Sequence, residues 1–344
     1  MSHPAFPEAR ELAEVSARIG ADPLLVQGPG GNSSFKSGDA LWVKASGVWL
    51  AEALERPIFS GLSLFHVRAI AATGETEDFS SARLAESDPA LRPSIETMLH
   101  ALMPQSAVLH AHAVGSMTVS ILADGKERAA TALAGLNWGW VPYRRPGAPL
   151  AAAVSEAIGD AAPDILILQN HGVVTAGDTP LAAETLLREV ERRLTWPLRY
   201  LPVATMTDIT AGERYEPLPA LAGLALDPEL FAILTAAALF PDQVVFMGGA
   251  VPGAAPDESI DTAADRAQHL SGVAPALILQ PGVGAFVAKN RTPAAAAVIQ
   301  GLFDVARRLP AGAQVVGLPG EAVAALLGWE AEAYRIKLAS EGAQ

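Results

Sequence analysis

The sequence contains no cysteine among its 344 residues. Disulfide bonds and thiolate metal sites are therefore excluded, and any metal ion must be held by histidine, aspartate or glutamate side chains. Charged residues are also few, at 18%, whereas half of the residues are hydrophobic. This composition indicates a globular protein and excludes an intrinsically disordered one.

Basic residues are in the minority. The 24 lysines and arginines face 37 acidic residues, which gives a net charge of −13. Because binding to a phosphate backbone requires a basic surface, we expect no nucleic-acid partner. A small sugar phosphate requires only a local electropositive pocket and stays compatible with this charge.

Long apolar runs are missing as well. Stretches such as Thr131–Leu136 are too short to span a bilayer. The first residues, Met1–Arg10, contain Pro4 and Pro7 and no apolar segment, so they do not indicate a signal peptide. We therefore expect no membrane partner and a cytoplasmic location.

The length and the distribution of proline and glycine predict two domains. A chain of 344 residues can bury a large core. Proline and glycine accumulate between Leu201 and Gly223, as is typical of a boundary. We place the domains at 1–215 and 216–344.

Apolar spacing and capping residues predict several elements of secondary structure. Strands and helices alternate, which implies helices packed on a sheet. The segment Leu64–Ala71 is compatible with either a strand or a short helix. The other predicted elements are a helix over Pro7–Ile19, a glycine-rich loop over Gln27–Ser34, a strand over Leu41–Lys44, a helix opened by Pro93 and Ser94, a strand over Ile165–Gln169, and a helix from Thr179 to Leu194.

The last third of the chain repeats a pattern from the first part. The residues of Leu166–Gln169 recur as Leu277–Gln280, and a glycine turn, a valine-rich strand, Thr-Pro and an alanine-rich helix follow in both places. The second copy has Pro281-Gly282 where the first has a histidine. The repeat indicates either an old duplication or a shared local design.

Three of the seven histidines form the most informative pattern. His110 and His112 end an apolar stretch with the character of a strand, and His171 follows a second apolar run. Side chains two positions apart on a strand leave from the same face. Three neutral imidazoles with an open position are what a catalytic zinc site requires. The pair alone is more typical of a hydrogen-bonded core or surface pair, and the third histidine favours a metal site.

The fragments that surround these histidines resemble the class II aldolase/adducin family over about the first two hundred residues. The longer chain, with Phe240-Pro241-Asp242 and Gln280-Pro281-Gly282, looks most like the rhamnulose-1-phosphate aldolase type of domain. The resemblance implies a three-layer α/β/α fold with a mainly antiparallel or mixed central sheet and a smaller C-terminal α/β extension. The matching fragments, in the family's order, are Gly31-Asn32-x-Ser34, Lys44-x-Ser46-Gly47, Ser94-x-Glu96, His110-x-His112 and Asn170-His171-Gly172.

The resemblance assigns roles to individual residues. His110, His112 and His171 match the zinc ligands, although imidazoles also suit other divalent transition metals. Glu96 matches the catalytic carboxylate; its alternative roles are a charge in a first helical turn or a partner of His100 one turn later. The matching phosphate-binding positions are Gly31, Asn32, Lys44, Ser46, Gly47 and Ser94, and the alternative is an ordinary turn with Ser94 as a helix N-cap.

Relatives often carry two serines before the carboxylate, whereas Ile95 stands between Ser94 and Glu96 here. The resemblance therefore leaves open whether the substrate is phosphorylated. Relatives also use a tyrosine as a second proton donor, and the candidates are Tyr143, Tyr200, Tyr215 and Tyr334.

The activity that the resemblance implies is a zinc-dependent cleavage of a ketose, or ketose 1-phosphate, to dihydroxyacetone phosphate and an aldehyde through an enediolate. A homotetramer is implied as well. The alternatives are a sugar-phosphate 4-epimerase, a dehydratase or decarboxylase on the same metal site, or a non-enzymatic adducin-like interaction module.

Overall fold

The computed structural model describes residues 8–203, 212–330, 333 and 337, and the chain divides into two compact units. The first unit consists of Met1–Ser120 and Gly125–Leu194, and the second consists of Ile121–Asp124 and Thr195–Gln344. The boundary predicted after residue 215 lies further along the chain, and the division into 1–215 and 216–344 stays a prediction.

The first unit is an alternating α/β structure. Its strands are β1 (Asn32–Ser37), β2 (Ala40–Lys44), β3 (Phe59–Ser63), β4 (Ala107–Ala111), β5 (Trp138–Val141), β6 (Ile165–Leu168) and β7 (Gly172–Gly177). Its helices are α1 (Ala9–Gly20), α2 (Leu64–Thr73), α3 (Thr97–Leu102), α4 (Val114–Ser120), α5 (Gly125–Ala132), α6 (Ala148–Ile158) and α7 (Pro180–Leu194), and 3-10 turns lie at Leu50–Leu54 and Ser80–Ala82.

The seven strands form one mixed sheet in the order β3-β2-β1-β4-β7-β6-β5. Every neighbouring pair is antiparallel except β5 and β6, which are parallel. Helices α2, α3 and α6 share buried apolar clusters with the strands, and α1, α4 and α7 pack on one another and on β1, β4 and β7. The predicted α/β architecture around a mixed central sheet is confirmed.

Several local predictions match the structure closely. The predicted helix over Pro7–Ile19 is α1, although Pro7 itself lies outside the described residues. Helix α7 begins at Pro180, and the Thr179 hydroxyl accepts a hydrogen bond from the backbone N–H of Ala182 at 3.1 Å. The undecided segment Leu64–Ala71 is helical, because Ser63 caps it and its apolar residues pack on the sheet at helical spacing.

Two predictions are wrong. The glycine-rich loop ends at Gly31, and Asn32–Ser34 begin strand β1. Backbone pairing of all three residues with β4, and of Ser34 also with β2, overrides their low strand preference. Ser94 is not the N-cap of a helix, since α3 starts at Thr97 and Glu96 occupies the N-cap position. The Ser94 hydroxyl accepts a hydrogen bond from the Glu96 N–H in the preceding turn.

The second unit contains a three-stranded sheet in the order β8-β10-β9. Its strands are β8 (Tyr215–Pro217), β9 (Leu277–Gln280) and β10 (Gly284–Ala288). Its helices are α8 (Gly223–Leu226), α9 (Pro228–Ala236), α10 (Pro241–Met247), α11 (Ile260–Ser271), α12 (Pro293–Ala306) and α13 (Gly320–Leu327), with a 3-10 turn at Pro219–Leu221. A buried cluster around Phe286, Ile278 and Tyr215 forms its core.

The repeat seen in the sequence is also a repeat in local structure. Strands β9 and β10 form an antiparallel hairpin followed by α12, as β6 and β7 are followed by α7. Thr292 caps α12 as Thr179 caps α7. The two segments therefore share the same arrangement of secondary structure, and their common origin stays a hypothesis.

Within the described ranges, no single helix is both long and apolar enough to cross a membrane. One sharply bent pair of helical segments, Pro219–Leu226 and Pro228–Ala236, is long and apolar enough only when the two segments are taken together.

Candidate metal centre

Two neighbouring strands and one tight turn bring the three histidines together. His110 lies in the central strand β4, opposite Asn32 of β1 on one side and Val174 of β7 on the other. His112 follows one residue after β4 ends. His171 lies in the turn that joins β6 to β7, where Asn170 adopts a left-handed conformation with φ of 53°.

Small residues and helix anchoring hold this arrangement in place. A Cβ atom on Gly172 would stand 2.4 Å from the backbone oxygen of Ala111, so only glycine allows the His171 turn to approach the end of β4. On the other side, the buried Glu191 carboxylate accepts hydrogen bonds from the backbone N–H groups of Gly115 and Ser116 at 2.8 and 2.9 Å. This carboxylate anchors the start of α4 directly after His112.

The geometry of the three imidazoles suits a divalent cation. Their ring centroids are 4.8 to 5.2 Å apart, and one nitrogen from each ring lies within 4.8 Å of the others. The Nε2 atoms of His110 and His112 are 3.2 Å apart. Tetrahedral zinc with bonds of about 2.0–2.1 Å places its nitrogen ligands about 3.3 Å apart, so this pair is already at ligand spacing.

The protonation state of His110 follows from its hydrogen bond. Its Nδ1 lies 3.0 Å from the backbone oxygen of Val173. Because a carbonyl oxygen only accepts, Nδ1 carries the proton and Nε2 directs a lone pair toward the other two rings. The residues present therefore fit a bound metal ion.

Glu96 completes the cluster. Its Oε2 is 3.5 Å from Nε2 of His110, and its Oε1 is 3.5 Å from Nε2 of His171. Oε2 also accepts a hydrogen bond from Asn32 Nδ2 at 2.7 Å, whereas Oε1 accepts none from the described part of the chain. One carboxylate oxygen is thus fixed by an amide, and the other faces His171.

The electrostatics of the cluster keep Glu96 ionised. Burial raises the pKa of this carboxyl, but the Coulombic attraction of His110 and His171 when these rings are protonated, together with the Asn32 hydrogen bond, outweighs burial and lowers the pKa to about 2. Glu96 is only 6% exposed. The site therefore holds an anionic carboxylate away from water beside three nitrogen donors.

Sequence reasoning missed the position of His100. The four-residue spacing predicts His100 as a partner of Glu96, but its ring lies between Ser34 and Asn32. Its Nδ1 is 2.7 Å from Ser34 Oγ, and its Nε2 contacts Asn32 Oδ1. The spacing of Glu96 and His100 by four residues was the available signal, and the partners on β1 became visible only in the fold.

Hydrogen bonds link several of the residues that match the phosphate-binding positions. Asn32 Nδ2 is 3.3 Å from Ser94 Oγ, and the backbone N–H of Ser94 donates to the carbonyl of Lys44. The Lys44 ammonium is buried and donates to the carbonyl of Pro29 at 3.1 Å. Ser46 is buried and follows Lys44 closely. The structure thus brings Asn32, Ser94 and the Lys44 segment together, and their role as a phosphate site stays a prediction.

Gly31 and Gly47 both adopt left-handed conformations, with φ of 61° and 76°. A Cβ atom on Gly31 would stand 2.8 Å from the backbone oxygen of His110. Gly31 is therefore required for the loop to approach the strand that carries His110. Gly47 directly follows Ser46 in the turn after β2.

The candidate tyrosines are distributed over both units. Tyr143 belongs to the first unit and follows β5, which pairs with β6. Its hydroxyl is buried without a hydrogen-bond partner among the described residues, and burial raises its pKa to about 12. In the second unit, Tyr200 is 87% exposed, and Tyr215 donates to the carbonyl of Pro275. Tyr334 lies outside the described residues.

This fold and this site define an α/β protein with a candidate three-histidine metal centre and an adjacent carboxylate. The family model of the Class II Aldolase and Adducin N-terminal domain matches residues 10–197. The match spans more than half of the chain, and the chain belongs to this family. The family resemblance of the sequence is confirmed.

Individual relatives extend this comparison. The "Uncharacterized oxidoreductase YuxG" of Bacillus subtilis (strain 168) is 30% identical over 226 residues, which are 61% of this chain and 32% of YuxG. The chain thus spans about a third of the length of that relative. The N-terminal class II aldolase domain of a conserved protein from Thermoplasma acidophilum is similar with 28% identity and a TM-score of 0.48, over 56% of this chain and 94% of that one. A sugar-phosphate aldolase from Thermotoga maritima is similar with 14% identity and a TM-score of 0.42, over 54% and 90% of the two chains.

Proposed function

We propose that this protein is a metal-dependent lyase that cleaves a ketose, most simply a ketose 1-phosphate, to dihydroxyacetone phosphate and an aldehyde. The observation that carries the proposal is the buried cluster of His110, His112 and His171 with the Glu96 carboxylate 3.5 Å from two of the rings. A scaffold protein has no physical need to bury an ionised carboxylate beside three converging imidazoles.

The three imidazoles would hold the ion, and zinc is the metal that suits them best. A bound divalent ion supplies Lewis-acid stabilisation of the negative charge that develops on the substrate oxygens. The remaining requirement is the movement of protons, which the side chains of this chain must perform.

Glu96 is the proposed proton-transfer residue. In the direction of bond formation it takes a proton from the substrate carbon that becomes nucleophilic, and in the direction of cleavage it returns that proton. The Asn32 hydrogen bond fixes Oε2, so Oε1 is the oxygen with capacity for the proton. Burial excludes bulk water, which would otherwise protonate the reactive carbon at random.

A second group must exchange a proton with the oxygen of the aldehyde product. Tyr143 is our candidate, since it is the tyrosine in the unit that carries the metal centre. Its pKa of about 12 keeps the phenol protonated at neutral pH. A protonated phenol that has no hydrogen-bond partner among the described residues can donate to an oxygen that becomes anionic in the direction of bond formation.

Substrate binding is proposed for Gly31, Asn32, Lys44, Ser46, Gly47 and Ser94. Glycine-rich backbone and hydroxyl groups are suited to anions, and the buried Lys44 ammonium adds positive charge. We also propose that the protein acts in the cytoplasm as a homotetramer, as the family resemblance implies; light scattering that shows an active monomer would exclude this assembly.

A screen of candidate ketose 1-phosphates for release of dihydroxyacetone phosphate tests the activity. We expect cleavage by the zinc-loaded protein and a loss of about 10²–10⁴-fold in kcat for Glu96→Gln, which keeps the shape but cannot accept the proton. A Glu96→Gln variant that cleaves at full rate would remove the assigned role. Epimerisation of the substrate without release of dihydroxyacetone phosphate would assign the protein to the epimerase class instead.

Metal content provides the second test. Elemental analysis should find one zinc per chain in the wild-type protein and a large loss in His110→Ala. His66→Ala is the matched control, because His66 is an exposed histidine of the same unit. A native protein that binds no divalent metal at all would favour the adducin-like interaction module.

A further inference from the structure

His100 is a fully buried histidine that none of the proposed catalytic steps uses. It lies in α3, the helix whose N-cap residue is Glu96. Both of its ring nitrogens are directed at strand β1, where Ser34 and Asn32 project from the same face two residues apart. The ring therefore connects the element that carries the carboxylate to the strand that pairs with His110.

The donors and acceptors in this chain of contacts follow from chemistry. The ionised Glu96 carboxylate only accepts, so the Asn32 group 2.7 Å away is the Nδ2 amide donor. The Asn32 oxygen then faces His100, and because an amide oxygen only accepts, His100 Nε2 must carry the proton. His100 Nδ1 is left with a lone pair and accepts from the Ser34 hydroxyl.

The electrostatic setting keeps this ring neutral. Burial has the largest effect and lowers the pKa of His100. The carboxylate of Glu96 raises this pKa, whereas the Coulombic effects of His110, Lys36 and Lys44 lower it. The resulting pKa is about 3. A neutral ring with a single N–H can hold one amide in one orientation. A doubly protonated ring would lose the hydrogen bond from Ser34.

We propose that His100 is a positioning residue for Glu96, acting through Asn32. Its Nε2–H fixes the Asn32 amide so that Nδ2, rather than Oδ1, faces the carboxylate. The amide then holds Oε2 and leaves Oε1 beside His171. The proposal rests on the proton-transfer role that we propose for Glu96, and it concerns the direction of the hydrogen bonds rather than the packing of the ring.

Two substitutions separate positioning from packing. His100→Leu fills much of the same volume but removes both nitrogens, so the Asn32 amide loses its anchor and can rotate its oxygen toward Glu96. His100→Gln retains an N–H donor near the position of Nε2. Changes in residues that orient the groups of a metal site typically cost about 10–100-fold in activity. We expect a loss in this range in kcat for His100→Leu, and recovery to within a few-fold of wild type for His100→Gln.

The kinetic pattern distinguishes positioning from loss of structure. A misplaced proton-transfer group lowers kcat and leaves KM nearly unchanged. In an Asn32→Ala background, His100→Leu should cause no further loss of kcat, because the residue through which it acts is gone. Equal kcat values for wild type and His100→Leu, or an additive loss in the double variant, would overturn the inference. Circular dichroism and zinc content show whether each variant is folded and loaded.

A measurement on the wild-type protein keeps the proposal testable if His100→Leu does not fold. Nitrogen-15 NMR of the imidazoles, recorded on the metal-free and zinc-loaded protein, reports which nitrogen of His100 carries the proton. We expect Nε2–H with an unprotonated Nδ1 in both forms. A His100 ring protonated at Nδ1 would refute the chain of hydrogen bonds.

The two proposals can fail separately. If no ketose phosphate is cleaved, the proposed function fails, and the NMR result still decides the orientation of His100 and Asn32. If the wild-type protein cleaves its substrate and His100→Leu does so equally well, the function stands and the positioning role is wrong.

Discussion

The buried, neutral His100 predicts that the metal-free protein loses stability in mild acid. In the folded chain burial holds the pKa of His100 at about 3, whereas the unfolded chain has the ordinary value of about 6.5. Between these two values the unfolded state binds one proton more than the folded state. The contribution of the neutral His100 to the free energy of unfolding is therefore fully present above pH 6.5, and it is lost progressively as the pH falls toward 3.

The magnitude can be worked out for a drop from pH 7 to pH 5. One proton of difference changes the free energy of unfolding by about 1.4 kcal/mol per pH unit once the pH is well below 6.5, and the full interval amounts to about 2 kcal/mol. This figure hardly depends on the folded-state value, because pH 5 lies well above a pKa of about 3. Glu96 contributes little in this interval, because its pKa is about 2 in the folded chain and the ordinary value of about 4.3 in the unfolded chain also lies below pH 5.

Denaturant unfolding of the metal-free wild type and of His100→Leu at both pH values measures this effect. Tryptophan fluorescence is a suitable probe because Trp42, Trp49, Trp138 and Trp140 all belong to the first unit. We expect the wild type to lose about 2 kcal/mol more than His100→Leu between pH 7 and pH 5. His66→Leu, which removes an exposed histidine of the same unit, should behave like the wild type. Equal losses in wild type and His100→Leu would refute the assignment of a neutral buried ring.

Further substitutions test other parts of the site. Gly172→Ala places a Cβ atom 2.4 Å from the Ala111 carbonyl oxygen, so it should destabilise the first unit by about 3 kcal/mol and lower the zinc content. Gly320→Ala is the control for thermal melting and elemental analysis, because its Cβ meets no described atom within 4 Å. Tyr143→Phe removes a hydroxyl that lacks a partner in the described chain, so it should leave the melting temperature unchanged or slightly raised. The same variant should lower kcat for ketose cleavage by at least tenfold if Tyr143 transfers the second proton, and an unchanged kcat would exclude that role.

The elements that sequence analysis predicted correctly are those whose local signals agree with their environment. Helix α7 carries a threonine cap, a proline in its first turn and apolar residues at helical spacing, and all of these favour the same structure. Strand β6 is a continuous apolar run inside a covered sheet. In both segments the secondary structure that the local sequence favours is also the one that tertiary packing stabilises.

The start of β1 was not predictable in this way. Asn32, Ser33 and Ser34 have the composition of a loop and follow a run of glycines, but all three pair with β4, and Ser34 also pairs with β2, near the middle of the sheet. Polar residues in a central strand are costly unless each side chain has a partner. The partners are distant in sequence: Ser16 for Ser33, His100 for Ser34, and Glu96 and Ser94 for Asn32. Such partners are visible only after the chain is folded.

The same argument explains why the candidate metal ligands are easier to recognise in the sequence than the residues that we propose to orient the carboxylate. A ligand set is recognised by residue type, since few side chains donate nitrogen to a metal, and the three histidines stand out in a chain with seven. A positioning residue is recognised by the direction of its hydrogen bonds, which no residue type specifies. His100 is the same residue type as the three candidate metal ligands, but its two ring nitrogens contact Ser34 and Asn32. A buried polar network of this kind stabilises the fold only when every member is satisfied. Substitutions along β1 should therefore affect the orientation of Glu96 even where they contact neither metal nor substrate.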